Sequence, residues 1–588
     1  MADFTPKNTS RDGAESSSGA NARRKPTRRS VLRAGATGAI VGSAGIVASK
    51  AAAQPVPSSA LLGANTVSPR QAESDHAVFQ HGVASGDPLP NAVIIWTRVT
   101  SHPADIPGDG VGEPIALRWE VSPAEDFIET TASGEVTSNP DNDNTVHVDV
   151  TGLDADRWYY YRFTVLSDNY AGQQSPVGRT RTTPPAGASP EHLGIALTSC
   201  ANYESGYFSA YADMATNPNI DIVMCVGDYI YEYGVNEYAG KLGPIREHQP
   251  PHETITLQDY RRRYGTYRTD ADLQAAHAAK PWMVTWDDHE VANDNWAEGA
   301  ENHQPEEGEG DFIARRDAAM RAYIEWLPIR TVHLSEGGKI YRHFQYGDLA
   351  DIVMLDLRTY RDRKLEFREI GQLDNPDRSM LGSEQFNYLK DKWASSTALW
   401  NLVGNSVMFT PVLIPPLDPQ ATAAITELMG LPEEGMPYNL DQWDGYPADR
   451  RRLIQTITEM GLDNIVFLTG DIHSSWACNV PVAAGRYPRD GIAAVELVCT
   501  SVSAPNIDDI VYLPQRNPIT IAAETGLTTA NRHVKWIEFD HHGYAAIYVG
   551  RDEITAEYRW VEDKAIPNQP LYVAKTYKVQ RGIGVLEV

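Results

Sequence analysis

Asp221-Ile222-Val223-Met224-Cys225-Val226-Gly227-Asp228-Tyr229-Ile230-Tyr231 is the stretch whose reading decides the fold. Asp221 to Val226 is mostly apolar and partly β-branched, with the length of a buried strand. A carboxylate and a phenol follow in the loop that leaves it. In α/β proteins the carboxyl ends of strands are where ligands and metals collect. Taken alone, the stretch reads equally well as an ordinary strand-turn, with Asp228 capping backbone amides and the tyrosines packing a rim. The other strand ends decide between the two.

Beyond Ser189 short apolar runs alternate with longer amphipathic segments, the pattern of an α/β fold. Leu193 to Leu197, Trp282 to Trp286, Ile352 to Leu355, Leu402 to Val403 and Ile465 to Leu468 read as strands. Gly206 to Thr216, Leu257 to Lys280, Phe312 to Trp326 and Tyr446 to Glu459 read as helices. Late strands follow at Ala493 to Val498, Trp536 to Phe539, Tyr544 to Val549 and Ile554 to Trp560. Further strand ends carry polar residues that a packed core would not choose: Thr198-Ser199-Cys200, Trp286-Asp287-Asp288-His289-Glu290 and Thr469-Gly470-Asp471-Ile472-His473. Parallel strands bring such ends to one edge of a sheet, so residues distant in sequence converge.

The residue types point to metals. A phenol with an ordinary pKa of about 10 ligates only a strongly Lewis-acidic ion at neutral pH. Thiolate, phenolate, carboxylate and imidazole together favour a trivalent transition metal over magnesium. Fe(III) is therefore the candidate for Cys200, Asp228, Tyr231 and His473. Asp288 and Asp471, with Asp287 as a weaker candidate, suit a hard cation. No serine sits in a nucleophile elbow, and Ser199 is read as a turn residue, so attack falls to a metal-activated oxygen. His289 is the candidate proton donor to a leaving alkoxide, or else a residue that orients the ligand beside it. Arg358 and Arg361 either clamp phosphate oxygens or form structural salt bridges.

The order of these blocks resembles the calcineurin-like metallophosphoesterase pattern. Cys200, Tyr231 in place of a second aspartate, Asp287-Asp288-His289-Glu290 and Gly470-Asp471-Ile472-His473 together look like the PhoD-type alkaline phosphatase and phosphodiesterase family. His81-Gly82-Val83-Ala84-Ser85-Gly86-Asp87-Pro88, Ile95-Trp96-Thr97-Arg98-Val99, Asp356-Leu357-Arg358-Thr359-Tyr360-Arg361 and Gly404-Asn405-Ser406 are similar to further motifs of that family. The resemblance runs from about Phe79 to about Trp560. It implies a core of two packed mixed sheets flanked by helices, Ca(II) as the partner of Fe(III), and Asp228 bridging the two. The implied activity is hydrolysis of phosphate mono- or diesters for phosphate acquisition. A phospholipase D-like phosphodiesterase is an alternative, and so is a non-catalytic surface-binding protein with a structural metal site.

The rest of the chain sets the frame. Its 588 residues exceed what one core usually supports. A formal charge of −27 argues against a nucleic-acid-binding surface. Thr27-Arg28-Arg29-Ser30-Val31-Leu32-Arg33, a small-residue apolar stretch and Ala51-Ala52-Ala53 read as a Tat signal over residues 1–53. That implies passage through the Tat translocase to the periplasm or medium, with no transmembrane segment left in the mature protein. A linker is expected over 54–75. A fibronectin- or Ig-like β-sandwich follows over 76–186, with a tyrosine corner at Gly152-Leu153 and Tyr159. The catalytic domain is expected over 190–566 and a tail over 567–588. Cys225, Cys478 and Cys499 read as small core residues, and no disulfide framework is expected.

Overall fold

The computed structural model describes residues 78–102, 105–167, 170–413 and 437–587; the expected Tat signal and linker lie outside them. Two large sheets face each other across one apolar layer. In the first, of ten strands among the described residues, His192–Thr198, Ile222–Val226 and Pro281–Thr285 run parallel and adjacent. In the second, of seven strands, Ala350–Met354, Trp400–Asn405, Ile465–Thr469 and Ile492–Val498 run parallel. Antiparallel strands flank both parallel groups, so each sheet is mixed.

The period of two explains the layering. Leu193, Ile195 and Leu197 of one strand point to Ile352, Met354, Leu402, Val466 and Leu468 of the facing sheet. Ala196, Val223 and Val284 point the other way, into a core shared with Ser209–Thr216, Leu257–Tyr267, Ala271–Ala279 and Phe312–Trp326. Gly382–Ser395 and Pro447–Met460 cover the outer face of the second sheet. The stretch expected as one long helix is two. The first ends at Tyr267, and Asp270 caps the second, its side chain accepting from the Leu273 amide.

Two expectations change at the margins. The amino-terminal strands do build a sandwich, but one of its walls belongs to the large sheet. Val83–Leu89 pairs in parallel with Pro281–Thr285, and Ala92–Arg98 and Thr145–Thr151 extend that edge. The four-stranded sheet Ala132–Thr137, Ala116–Ser122, Trp158–Val165 and Gly178–Arg181 closes over them. Their shared core holds Val83, Val93, Ile95, Leu117, Tyr161 and Phe163. The Tyr159 hydroxyl accepts from the Asp154 amide at 3.0 Å, completing the corner. Residues 567–588, expected as a tail, carry Leu571–Gln580 and Gly584–Glu587, which add two strands to the ten-stranded sheet.

Candidate metal centre

Cys200, Asp228 and Asp287–His289 follow neighbouring parallel strands of one sheet, and Asp471 and His473 follow a strand of the other. The backbone there is unusual. Cys200, Asp228, Asp471 and His473 sit at φ of 59°, 54°, 65° and 49°. Left-handed conformations in non-glycine residues cost on the order of 1–3 kcal/mol each and cluster at functional sites. Two glycines let the ends meet. A Cβ on Gly227 would lie 2.4 Å from Asp287 Cβ, and one on Gly470 would lie 2.3 Å from Ser199 Oγ. The strand-end motifs carry glycine because any side chain there would push the ligand-bearing turns apart.

One group gathers sulfur, phenol and imidazole. Ligand atoms of Cys200, Asp228 and His473 lie within 4.8 Å of one another. The Tyr231 hydroxyl stands 3.1 Å from Asp228 Oδ2 and 3.0 Å from His473 Nε2. His473 Nδ1 is 2.8 Å from the Pro505 carbonyl, which only accepts, so Nδ1 carries the proton and Nε2 is left bare toward the centre. Burial lowers the His473 pKa to about 4, keeping the ring neutral. Burial, followed by the Asp228 charge, holds both the Cys200 thiol and the Tyr231 phenol well above their usual ranges. Neither gives up its proton there unless a strong Lewis acid replaces it.

The other group gathers carboxylates. Oxygens of Asp287, Asp288 and Asp471 lie within 4.8 Å of one another, and so do ligand atoms of Asp228, Asp288 and His289. Asp228 belongs to both groups. Its Oδ1 and Asp288 Oδ1 are buried with no hydrogen-bond partner. Burial lifts Asp471 to about 6, and lifts Asp287 to about 7 against the pull of Arg358. Asp228 is raised as well, by burial first. Buried acids with orphaned oxygens fit a site built to hold cations, because an uncompensated buried carboxylate is otherwise expensive.

His289 stands at the rim of both groups. Its Nδ1 pairs with Glu232 Oε2 at 2.7 Å, and Glu232 Oε1 accepts from the Asn293 amide and Asn302 Nδ2, each at 2.8 Å. Burial works against protonation of His289, but Asp288, Glu232 and Asp228 outweigh it and raise its pKa well above the usual value. Glu290 accepts from the amides of Asp228 (3.1 Å), Tyr229 (2.6 Å) and Asp287 (2.8 Å), clamping two strand ends together.

Arg358 and Arg361 do not present free guanidinium groups. Both are fully buried. Arg358 Nη2 donates to Asp287 at 2.9 Å and Nη1 to Asp441 at 2.7 Å, and Asp288 Oδ1 lies 3.4 Å away. Arg361 donates to the side chain and carbonyl of Asp441 at 2.6 and 2.8 Å and to the Asn295 carbonyl at 2.8 Å. Of the two readings of these arginines, the geometry is that of internal counter-ions. Asp287, in turn, gives both its oxygens to Arg358. Sequence reasoning missed Glu232, Asp441 and Gln442, whose Nε2 donates to Asp471 Oδ2 at 2.9 Å. Glu232 lies inside the opening stretch's own loop, one residue past Tyr231, and its spacing was a usable signal; Asp441 and Gln442 lie in irregular chain with no flanking strand.

Two packed sheets thus bring a buried candidate metal centre to one edge. Residues 195–558 match the PhoD-like phosphatase model and residues 64–184 the model of the PhoD-like phosphatase N-terminal domain. Alkaline phosphatase D of Bacillus subtilis (strain 168) is 39% identical over 492 residues, 82% of this chain and 77% of that protein. A solved structure of PhoD superposes with a TM-score of 0.76 at 35% identity, covering 87% of this chain and 92% of that one. The chain belongs to the PhoD-like phosphatase family.

Proposed function

We propose that this phosphoesterase is exported and hydrolyses phosphate mono- and diesters at a centre holding Fe(III) and Ca(II). The observation that carries the reading is Asp228, a buried carboxylate shared by the thiol–phenol group and the carboxylate group, with one oxygen unpartnered. Cys200, Asp228, Tyr231 and His473 would hold Fe(III), and Asp228, Asp288 and Asp471 would hold Ca(II). When bound, such cations polarise phosphoryl oxygens and acidify water.

The chain's own residues supply the rest. His289, oriented through its Nδ1 by the Glu232 carboxylate, which favours the protonated ring, donates its proton to the leaving alkoxide. Arg358, itself held by Asp441, fixes Asp287 and offsets part of the charge of the acids while no cation is present. Asp287 and Arg361 act as scaffold in this reading. Arg28-Arg29 and the residues after them direct export through the Tat translocase. No helix among the described residues is long and apolar enough to cross a membrane.

The test is hydrolysis of a chromogenic monoester, a diester and phosphatidylcholine vesicles by purified, metal-loaded protein, before and after chelation. Activity lost on chelation and regained with iron and calcium is expected. Fully metallated protein that cleaves none of these would sink the reading. Retention of an Arg28→Lys, Arg29→Lys variant inside the cell tests the route.

A further inference from the structure

The loop 234–241 brings one more phenol to the centre. The Tyr238 ring stacks beside Tyr231 with centroids 5.6 Å apart. It lies 5.2 Å from Tyr233, 6.0 Å from His289 and 6.3 Å from His473, measured between ring centroids. Those neighbours come from strand ends of both sheets, so Tyr238 forms a wall common to the two ligand groups. The loop that carries it is tied down. The Tyr238 carbonyl accepts from Asn202 Nδ2 at 2.9 Å and Ser205 Oγ at 3.2 Å, and the Asn202 carbonyl accepts from Ser503 Oγ at 2.7 Å. Asn202 and Ser205 follow Cys200 in the same turn, so the backbone that aims the thiol also aims this phenol.

The ring is half-buried, and its hydroxyl, which makes no hydrogen bond among the described residues, is open to solvent, where an incoming ligand can reach it. Meanwhile Arg358 and Arg361 are committed to Asp287 and Asp441, which leaves phosphoryl oxygens in need of a donor from elsewhere.

We propose that the Tyr238 hydroxyl donates a hydrogen bond to a non-bridging phosphoryl oxygen of the bound ester, making Tyr238 a substrate-positioning residue. This rests on the phosphoesterase reading above. A hydrogen bond to a charged oxygen is worth about tenfold to a hundredfold in affinity. Metal-loaded Tyr238→Phe should therefore bind inorganic phosphate at least about tenfold more weakly by calorimetry, with KM for an aryl phosphate raised in parallel. Its iron and calcium content and its melting temperature should match the wild type. Asn202→Ala, which frees the loop but keeps the hydroxyl, should weaken phosphate binding by a smaller factor.

Phosphate affinity unchanged in Tyr238→Phe would overturn the proposal. Loss of metal or of folding from that variant would overturn it too, because Tyr238 would then be scaffold. Wild-type protein that neither binds phosphate nor hydrolyses esters would instead refute the phosphoesterase reading, which separates the two failures.

Discussion

The two halves of the centre solve the same problem, burying acidic groups, in opposite ways. Around Asp287, Asp288 and Asp471 the protein supplies its own positive charge, with Arg358 between Asp287 and Asp441 and Arg361 behind it. Around Cys200, Tyr231 and His473 no arginine pairs with the ligands; the thiol and phenol stay neutral instead, and the histidine is uncharged. The carboxylate half is thus ready for a weakly held hard cation, whereas the thiol–phenol half ionises only with an ion that displaces protons. Asp228 is where the two arrangements meet.

Asp228→Asn tests whether the halves are one site. It should lower kcat/KM by about a thousandfold or more, with loss of both metals by elemental analysis. Loss of only one metal with activity kept would break the halves apart. Arg358→Met tests the internal counter-ion. Leaving Asp287 and Asp441 buried without their partner should cost about 3–5 kcal/mol in urea unfolding of the cation-free protein. A cost near zero would mean that the arginine balances nothing.

Tyr231→Phe probes the other half. A visible absorption band of iron-loaded protein should disappear, while stability of the cation-free form shifts by no more than about 1.5 kcal/mol, the worth of an ordinary hydrogen bond. A colourless, iron-free, active wild type would refute the iron assignment. The smallest effect expected is with pH. Asp471 and Asp287 have folded pKa values raised to about 6 and about 7, so in the cation-free protein they bind protons that the unfolded chain has already lost. Their contribution to stability therefore falls as pH rises from about 4 through 7, and a bound cation reverses it. The rise in melting temperature on adding calcium should grow from pH 5 to pH 8; a rise independent of pH would show that Asp471 does not meet the ion.

The strand ends were legible because each pairs a regular apolar run with a polar residue out of place, as at Val226-Gly227-Asp228 and Leu468-Thr469-Gly470-Asp471. Parallel pairing brings Cys200, Asp228 and Asp288 together in one sheet, and the packing of the second sheet against it brings Asp471 and His473 to them. Sheet membership was not legible. Ala92–Arg98 is an apolar run that reads as a sandwich strand, and nothing in it or in Val83–Leu89 announces that the latter pairs with Pro281–Thr285. The supports of the site were hidden for a different reason. Asp441 and Gln442 lie in irregular chain, and the Pro505 carbonyl that fixes the His473 tautomer is a backbone atom with no residue signature.

The strand that presents Cys200 is bordered by Ile222–Val226 on one side and His542–Gly550 on the other, with Ala545 opposite Leu197. A nascent chain still short of residue 542 already holds every ligand candidate but lacks half the support of the strand that aims the sulfur. Long-range pairings of this kind form late, after the loop-closure entropy has been met. Completion of the candidate centre is thus expected to wait on the last strands, and a chain cut before residue 542 should bind metal poorly however intact its ligand candidates.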